Sequence, residues 1–212
     1  MKDIVIVGAG GLGREVAYLL DELNSRGSEW NLLGFVDDNP DLHHTFVNDI
    51  PVLGDVDWLM KYPKQLLVIC CIAKPKIRID IMKKLMINSL LQYPNIIAEN
   101  VRYSKRVQFG MGNIICYSTT LTVDINIGNF NIINPGCTIG HDVILKDFNT
   151  VYPGVNISGN VTIDQAVEIG TGSQIIQGIT ISSKAIIGAG SVVIRNINEK
   201  GTYVGVPVRK VK

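Results

Sequence analysis

A six-residue repeat runs through the second half of this chain. Large apolar residues occupy every sixth position from Phe109 to Val193. The fifteen members of this first column are Phe109, Ile115, Leu121, Ile127, Ile133, Ile139, Leu145, Val151, Ile157, Ile163, Ile169, Ile175, Ile181, Ile187 and Val193. Because 46% of the residues are apolar, a run of this length in one register has a chance of order one in a hundred thousand. The repeat therefore has a structural cause.

Two further columns accompany the first. A second column lies two residues before each member of the first and is mostly small or β-branched, as a crowded interior requires. It contains Ile125, Asn131, Cys137, Val143, Asn149, Val155, Val161, Val167, Ser173, Ile179, Ala185 and Ser191. A third column directly follows the first and is rich in glycine, with Gly110, Gly128, Gly140, Gly170 and Gly188. We interpret these glycines as tight corners, where glycine tolerates positive φ.

The six-residue period selects one architecture. An α-helix has no such period, and a simple strand alternates with period two. Six residues fit a short strand plus a corner, which predicts a hexapeptide-repeat parallel β-helix. Three faces make a coil of eighteen residues, so residues eighteen apart should stack. The unbroken register from 109 to 193 predicts that no loop interrupts the coils.

The N-terminal part of the chain follows another pattern. Short apolar runs alternate with amphipathic segments, which indicates βαβ units and a parallel sheet. We expect strands over 4–7, 32–36 and 66–73, with helices over 14–25 and 75–90. The sequence thus predicts an α/β Rossmann-like half-domain over residues 1–95, followed by an all-β parallel β-helix over 96–212.

The glycine-rich segment after the first predicted strand is a candidate nucleotide site. Gly8, Gly10 and Gly13 match G-x-G-x-x-G, and Asp37 and Asp38 lie where an acidic residue meets a ribose hydroxyl in dinucleotide-binding folds. Glycines let the backbone approach a phosphate, and a helix N-terminus offers amides to it. A tight turn without a ligand remains the alternative. Fewer than a hundred residues leave little room for a second βαβ half, which favours a mononucleotide-type site over a dehydrogenase.

Composition excludes several classes of partner. The net charge of +1 gives no electrostatic case for nucleic acid or an anionic membrane. The longest apolar run, 66–73, is far shorter than the roughly 20 residues that span a bilayer, and the first residues do not resemble a signal peptide. The cysteines lack metal-type spacing, so we expect reduced thiols, a cytoplasmic protein and no metal.

Three histidines are present. His43 and His44 follow the acidic segment, and we expect both to be solvated. His141 directly follows Gly140, which places it near a corner rather than in the aliphatic column. It is the candidate for acid–base chemistry, although a hydrogen-bonded surface histidine is the alternative.

Four segments resemble one family over nearly the whole chain. GAGGLGREVA (8–17), GFVDDNP (34–40), NPGCTIGHDV (134–143) and VGVPVRK (204–210) are similar to the NeuD/PglD-like bacterial sugar acetyltransferases. The resemblance implies a left-handed β-helix and a homotrimer with active sites between neighbouring subunits. It also implies acetyl-CoA as the donor and a sugar or nucleotide sugar as the acceptor.

The resemblance also implies roles for individual residues. His141 matches the general base, Asp142 the adjacent acid, Asn134 an acceptor-site residue, and Gly159 the glycine whose N–H faces the thioester oxygen. Gly159 lies one eighteen-residue coil beyond His141, so stacking alone predicts that the two are close. The remaining matches concern CoA: Thr171 and Ala189 would offer backbone groups to the pantetheine arm, and Gly205, Arg209 and Lys210 would hold the CoA end.

Two departures from the family pattern concern the acceptor. Thr150 stands where many members carry a second histidine, nine residues after the base. The segment Cys71-Ile72-Ala73-Lys74 replaces a loop that usually reads A-I-G-[ND]. Both changes put the identity of the acceptor in doubt more than the acetyl-transfer reaction itself.

These observations favour acetyl transfer from acetyl-CoA to the amine of a nucleotide-linked amino sugar used in surface glycan synthesis. O-acetylation of sialic acid or another glycan unit stays open. A non-catalytic β-helix scaffold is a second class of function. An NAD-dependent oxidoreductase is a third, and it rests on the glycine motif alone.

Overall fold

A computed structural model describes residues 2–212 and divides the chain into two compact units, Met1–Ile96 and Ile97–Lys212. The first is an α/β unit with a parallel sheet, and the second is a left-handed parallel β-helix. The fold class predicted from the sequence is confirmed.

The first unit contains a four-stranded parallel sheet with the strand order β2 (Trp30–Val36), β1 (Lys2–Val7), β5 (Leu66–Cys70) and β6 (Leu91–Gln92). Its central strand β1 is buried at Ile4, Val5, Ile6 and Val7, as expected for a parallel strand covered on both faces. The elements are β1 (Lys2–Val7), α1 (Gly11–Ser25), β2 (Trp30–Val36), a 3-10 turn (Pro40–Leu42), β3 (Phe46–Val47), β4 (Ile50–Pro51), α2 (Val56–Met60), β5 (Leu66–Cys70), α3 (Pro75–Leu85) and β6 (Leu91–Gln92).

Strands β1 and β2 each begin two residues earlier than predicted, and three other boundaries in this unit are wrong by three residues or more. Helix α1 begins at Gly11 rather than at 14, because Gly10 is already its extended N-cap residue. Strand β5 ends at Cys70 rather than at 73. Its extension is lost because the carbonyl oxygens of Ile72 and Ala73 turn to accept hydrogen bonds from the buried Arg78 guanidinium.

The end of α3 is the third such boundary. The helix ends at Leu85 instead of near residue 90. The side-chain amide of Asn88 donates to the carbonyl oxygens of Leu59, Met60 and Tyr62 at the end of α2. These bonds hold the chain in a turn that leads directly into β6, so the helix cannot continue.

The second unit consists almost entirely of short strands. They are β7 (Ile96–Ile97), β8 (Arg102–Tyr103), β9 (Gln108–Phe109), β10 (Ile114–Ile115), β11 (Thr120–Leu121), β12 (Asn126–Ile127), β13 (Ile132–Ile133), β14 (Thr138–Ile139), β15 (Ile144–Leu145), β16 (Thr150–Val151), β17 (Asn156–Ile157), β18 (Thr162–Ile163), β19 (Glu168–Ile169), β20 (Gln174–Ile175), β21 (Thr180–Ile181), β22 (Ala185–Ile187), β23 (Val192–Val193), β24 (Gly201–Val204) and β25 (Arg209–Lys210).

These strands form the three faces of a triangular prism. From β7 to β23, each strand pairs in parallel with the strands one coil away on the same face, as Ile139 does with Ile157, whereas β24 and β25 pair antiparallel with each other. The first face contains β7, β10, β13, β16, β19 and β22, the second β8, β11, β14, β17, β20 and β23, and the third β9, β12, β15, β18 and β21. Each corner takes the number of the face that it follows: the first corner includes 134–136, 152–154, 170–172 and 188–190, and the second includes 140–142, 158–160 and 176–178.

The prism interior is filled by the first two columns of the repeat. Every member of the first column is buried except Phe109, which lies in the first coil of the run and packs edge-on against Tyr103. Every member of the second column is buried as well. The predicted inward direction of both columns is confirmed.

Buried asparagines in the second column form a ladder that the sequence analysis did not anticipate. The Asn113 side-chain oxygen accepts from the Asn131 backbone N–H at 2.8 Å. Asn131 accepts in the same way from Asn149, and Asn149 from Val167, each at 2.8 Å. The ladder satisfies backbone amides inside the prism, which explains why a polar residue is tolerated in this crowded column.

The reason given for the third column of glycines is wrong. Positive φ does occur at every sixth position, but two residues after that column. It is found at Gly112, Ser118, Asp124, Phe130, Gly136, Asp142, Phe148, Gly154, Asn160, Ala166, Gly172, Gly178, Lys184 and Gly190. The third-column glycines are needed instead for close approach between coils, since a Cβ on Gly140 would lie 2.6 Å from the backbone nitrogen of Gly159.

The four cysteines are free and buried. Burial raises the pKa of the Cys70 thiol to about 11, and it raises that of Cys137 to about 11 as well. Such thiols stay protonated and are poor nucleophiles. Within residues 2–212, no helix combines the length and apolar character needed to cross a bilayer, and no cluster of His, Cys, Asp or Glu is arranged to hold a metal ion.

Candidate active site

His141 and Asp142 form a hydrogen-bonded pair at the second corner. The Nδ1 atom of His141 lies 2.8 Å from Oδ2 of Asp142, and the two side chains are 51% and 60% exposed in the single chain. Asp142 adopts the left-handed backbone conformation, with φ of 58°, which turns the carboxylate back toward the preceding ring. A bond at Nδ1 leaves Nε2 as the ring atom that can exchange a proton with a substrate.

The imidazole of His141 lies directly over Gly159. A Cβ at residue 159 would fall 2.5 Å from the ring atoms Cε1 and Nε2. Only glycine fits beneath the ring in this position. The backbone N–H of Asn160 also donates to the carbonyl oxygen of His141 at 2.7 Å. The closeness of His141 and Gly159, predicted from their spacing of one coil, is therefore present.

The backbone N–H of Gly159 has no hydrogen-bond acceptor among residues 2–212, although Gly159 itself is buried. The N–H groups of Ser158 and Asn160 on either side, in contrast, bond to neighbouring coils. Gly140 keeps it uncovered, because a Cβ at 140 would lie against this nitrogen. The second corner thus combines an exposed imidazole, its carboxylate partner and a free N–H donor.

The other predicted residues of the β-helix lie at the first corner. Asn134 donates from Nδ2 to the Val151 carbonyl oxygen at 2.9 Å. Thr171 and Ala189 lie on this corner too, and neither backbone N–H has an acceptor within the described chain. The second face separates this corner from His141. One chain therefore does not bring Asn134, Thr171 and Ala189 into contact with His141.

The two corners nevertheless match coil by coil. Asn134 and His141 belong to one coil, and Tyr152 and Gly159 belong to the next. Thr171 then shares a coil with Gln177, and Ala189 shares one with Arg195. Arg195 lies two residues after β23, the last strand of the second face, so it is near the second corner about three rungs beyond His141, or about 14 Å at 4.8 Å per rung.

The C-terminal segment forms a shallow basic groove. It has a volume of about 270 Å³ and is lined by Ile194, Arg195, Pro207, Val208 and Arg209. Arg195 was missed in the sequence analysis, although counting eighteen-residue steps from His141 would have found it.

Two predicted residues of this segment already have protein partners. Lys210 pairs with Glu199 at 2.8 Å, and this hydrogen bond raises the lysine pKa. Its ammonium is thus partly committed within the protein. The backbone N–H of Gly205 donates to the Ser191 hydroxyl at 3.2 Å, and its φ of 104° makes the turn between β24 and β25. Arg209 is exposed and keeps its charge available.

The glycine motif forms a compact strand–turn–helix in the first unit. Gly8 has φ of 100° and donates to Val36 at 2.7 Å. Gly13 lies against Gly8, where a Cβ at 13 would fall 1.9 Å from the Gly8 oxygen. Gly10 has nothing within 4 Å of a built Cβ. The turn and the close helix packing account for Gly8 and Gly13, and the space at Gly10 leaves the N-terminus of α1 open.

Both aspartates beside this motif have structural partners. Asp37 accepts from the Ala9 N–H at 2.9 Å through Oδ2 and from the Asn39 N–H at 2.9 Å through Oδ1. Asp38 is exposed and accepts from the Val56 N–H at 3.1 Å. Asp37 therefore fixes the glycine turn, and its remaining lone pairs are what it can offer a ligand.

The two departures from the family pattern and the paired histidines also have defined positions. Thr150 is fully buried in β16. Ala73 lies in the segment that Arg78 holds. His44 is exposed as expected, but the solvated position expected for His43 is wrong. Its Nε2 lies 2.8 Å from the Asp37 carbonyl oxygen, so this ring is partly buried against the acidic turn.

Comparison with known proteins connects both units to one group. Residues 3–85 match the family model of the PglD N-terminal domain. The acetyltransferase domain of PglB from Neisseria gonorrhoeae, solved in complex with acetyl coenzyme A, is 25% identical, with 99% of both chains covered and a TM-score of 0.87. WeeI from Acinetobacter baumannii is 29% identical, with full coverage of both chains and a TM-score of 0.88.

A third solved structure shares the fold. It is perosamine N-acetyltransferase from Caulobacter crescentus, 24% identical, covering 100% of this chain and 98% of its own, with a TM-score of 0.87. No curated protein sequence gives a significant match.

A parallel-sheet α/β unit followed along the chain by a β-helix of hexapeptide coils defines a class, the hexapeptide-repeat acyltransferases. Within that class, the first unit matches the PglD N-terminal domain over residues 3–85, and the whole chain is similar to the acetyltransferase domain of PglB.

Proposed function

We propose that this protein transfers the acetyl group of acetyl-CoA to the amine of a nucleotide-linked amino sugar, with His141 as the general base. The observation that carries the proposal is the arrangement of His141 over Gly159, whose N–H is free. A base and an oxyanion donor on adjacent rungs are the minimal requirements of direct acyl transfer. The complex of PglB with acetyl coenzyme A supports the choice of donor.

The proposed reaction proceeds in one displacement. The amine nitrogen attacks the thioester carbonyl carbon, so a C–N bond forms and the C–S bond breaks. The proton leaves the nitrogen for Nε2 of His141 and then passes to the CoA sulfur, which departs as the thiol. Asp142 holds Nδ1 and stabilises the imidazolium that forms. The Gly159 N–H would stabilise the oxyanion, an interaction typically worth roughly 2.7 to 4 kcal/mol.

We further propose a homotrimer in which each active site combines the second corner of one copy with the first corner of the next. The site is incomplete without a second copy, because Asn134, Thr171 and Ala189 lie across the second face from His141. A three-fold axis parallel to the prism brings equivalent rungs of neighbouring copies side by side. Asn134 of one copy would then face His141 of the next.

The order of the rungs sets the direction in which acetyl-CoA would lie along the prism. The acceptor would lie at the rung of Asn134 and His141, with the thioester one rung further, at Gly159. The pantetheine arm would pass the free N–H groups of Thr171 and Ala189. Its phosphates would reach Arg195 and Arg209, since guanidinium groups suit phosphate oxygens.

The first unit would supply nucleotide binding. The open N-terminus of α1 at Gly10 suits a phosphate, and Asp37 and Asp38 suit a ribose hydroxyl. A cytoplasmic location suits the free, buried cysteines, which need a reducing compartment.

The test is a turnover assay with acetyl-CoA and a panel of UDP-, dTDP- and GDP-amino sugars, with CMP-sialic acid as an O-acceptor. Thiol release and the mass of the product identify transfer and the modified atom. An amino sugar acetylated on nitrogen is the expected result. Acetylation of CMP-sialic acid alone would replace the proposal by O-acetylation. Absence of acetyl-CoA binding in calorimetry would leave a scaffold role instead.

A further inference from the structure

We propose that Glu168 is an amine-recognition residue of this site: its carboxylate, oriented by Tyr152, binds the amino group of the acceptor and makes the enzyme prefer amino sugars over their hydroxyl counterparts. This inference rests on the proposed transfer reaction and assigns the group that selects its substrate.

Glu168 is held in a defined orientation. It lies in β19 between Val167 and Ile169, which are both fully buried, so its own side chain points out of the first face. The Tyr152 hydroxyl donates to Oε2 of Glu168 at 3.1 Å. Within residues 2–212, Oε1 has no hydrogen-bond or ion-pair partner, so it is available to a ligand.

The surroundings of Glu168 make its charge unusual. The outward positions at eighteen-residue spacing on the same face are Ile96, Ile114, Ile132, Thr150 and Ile186. Glu168 is the only ionisable side chain in this column. Its two neighbours on adjacent coils, Thr150 and Ile186, carry no charge that could neutralise the carboxylate, so its charge is available to a cationic ligand. No cationic side chain of the described chain pairs with it.

The position of Glu168 matches the proposed acceptor site. Tyr152 stacks one coil above Asn134 on the first corner and shares its coil with Gly159. Glu168 lies three residues before Thr171, on the next coil. Glu168 therefore lies beside the first corner on the coil of Thr171, and its hydrogen bond to Tyr152 turns the carboxylate toward the rung of Gly159, next to the rung proposed for the acceptor.

The Glu168 carboxylate would bind an amine more strongly than a hydroxyl. A primary amine on a sugar is largely protonated in water, and the ammonium ion donates charge-assisted hydrogen bonds to a carboxylate. A hydroxyl at the same place carries no charge and gains much less. After docking, the ammonium loses one proton to solvent and the neutral amine attacks. The second proton goes to His141 as described above.

The experiment compares acceptors that differ only in amine or hydroxyl. The amino sugar that the wild-type enzyme acetylates fastest is paired with the nucleotide sugar that carries a hydroxyl instead. Both are assayed with wild type, Glu168→Gln, Tyr152→Phe and a matched control, Asp164→Asn. The control removes one carboxylate charge from a salt bridge with Lys146 at the third corner, away from both proposed halves of the site.

Glu168→Gln should raise the amino-sugar KM about tenfold or more, since the charge is lost and an acceptor oxygen remains. KM for acetyl-CoA and binding of the hydroxyl sugar, read as its inhibition constant, should stay unchanged. Tyr152→Phe should show a smaller shift in the same direction, and Asp164→Asn none. Unchanged amino-sugar KM in Glu168→Gln, or equal weakening of both sugars, would overturn the inference.

These outcomes separate the inference from the proposed function. If wild type acetylates no sugar on the panel, the transfer reaction itself fails. If wild type is active and Glu168→Gln matches it, only the role of Glu168 fails. Melting temperatures of all four proteins identify a variant that is merely unfolded.

Discussion

Gly140 leaves the backbone N–H of Gly159 uncovered: a methyl group on Gly140 would lie 2.6 Å from that nitrogen. The two glycines belong to successive coils of one corner. Gly140 therefore controls access to the proposed oxyanion donor without touching the substrate.

Replacing Gly140 by alanine should block this donor. We expect Gly140→Ala to lower kcat by about a hundredfold or more, the usual effect of losing one oxyanion-hole donor. Steady-state kinetics measures the loss of kcat, and the melting temperature measures any loss of stability. Gly128→Ala is the matched control, because its Cβ would crowd Lys146 and Asp147 at the third corner. Gly128→Ala should lower the melting temperature and leave kcat unchanged. An equal loss of kcat in both variants would argue against the donor role of the Gly159 N–H.

Removal of the imidazole tests the base directly. We expect His141→Ala to reduce turnover at least about a hundredfold, because general base catalysis typically contributes that much or more. Acetyl-CoA binding should persist, as measured by calorimetry. His44→Asn is the control, since His44 is exposed and asparagine tolerates its left-handed backbone. Near-normal activity of His141→Ala would remove the assignment.

The shared site predicts complementation between inactive variants. His141→Ala damages the second corner, and Ala189→Arg should obstruct the pantetheine path at the first. Every trimer that contains both kinds of chain has one interface of three that joins two intact corners, so the mixed trimers should regain about one third of wild-type activity. Co-expression with two affinity tags, followed by activity assay of the doubly purified protein, measures this recovery. No recovery in a proven mixed trimer would place the whole site within one chain.

The asparagine ladder makes a prediction about stability alone. Asn131→Ala leaves the buried Asn149 N–H without its acceptor, which should lower the free energy of unfolding by about 1–3 kcal/mol. Urea denaturation measures the change. Asn126→Ala, on the exposed side of the third face, should stay within about 0.5 kcal/mol of wild type. Equal effects would mean that the ladder contributes nothing specific.

Buried thiols should make stability fall at high pH. The Cys70 thiol has an ordinary pKa of 9.0, and burial raises it to about 11 in the folded protein. Above pH 9 the unfolded state loses this proton first, so the free energy of unfolding should decrease from pH 9 to 11. Urea titrations at both pH values measure the slope. Cys70→Ala should reduce the slope, and an identical slope in both proteins would exclude this cause.

The β-helix could be predicted from the sequence because one period controls its backbone pairing and both interior columns. In such short strands, the apolar residues are enough to identify the side that faces the interior. The closeness of His141 and Gly159 followed from the same count, and Arg195 could have followed by extending it. The predicted reason for Gly140 failed because contact between coils, rather than local φ, requires glycine there.

The boundaries in the first unit were less accessible from sequence. The early end of β5 depends on the Arg78 guanidinium, and the early end of α3 depends on Asn88, whose partners lie more than twenty residues away. Local propensity contains no signal for bonds of this kind between a side chain and the backbone. The hydrogen bond from the Ala9 N–H to the Asp37 carboxylate could not be predicted either. The glycine motif suggested that Asp37 binds a ligand, whereas in the structure it already accepts from this backbone N–H.

The left-handed corner at Asp142 has a consequence for how such a chain can change. Serine, phenylalanine, alanine, lysine and asparagine all adopt the same bend at equivalent corners, so the bend does not depend on the side chain that it carries. Evolution can exchange what each vertex displays while the scaffold stays in place. New specificity can therefore arise on this protein by single substitutions at its edges, with no need to invent a new fold.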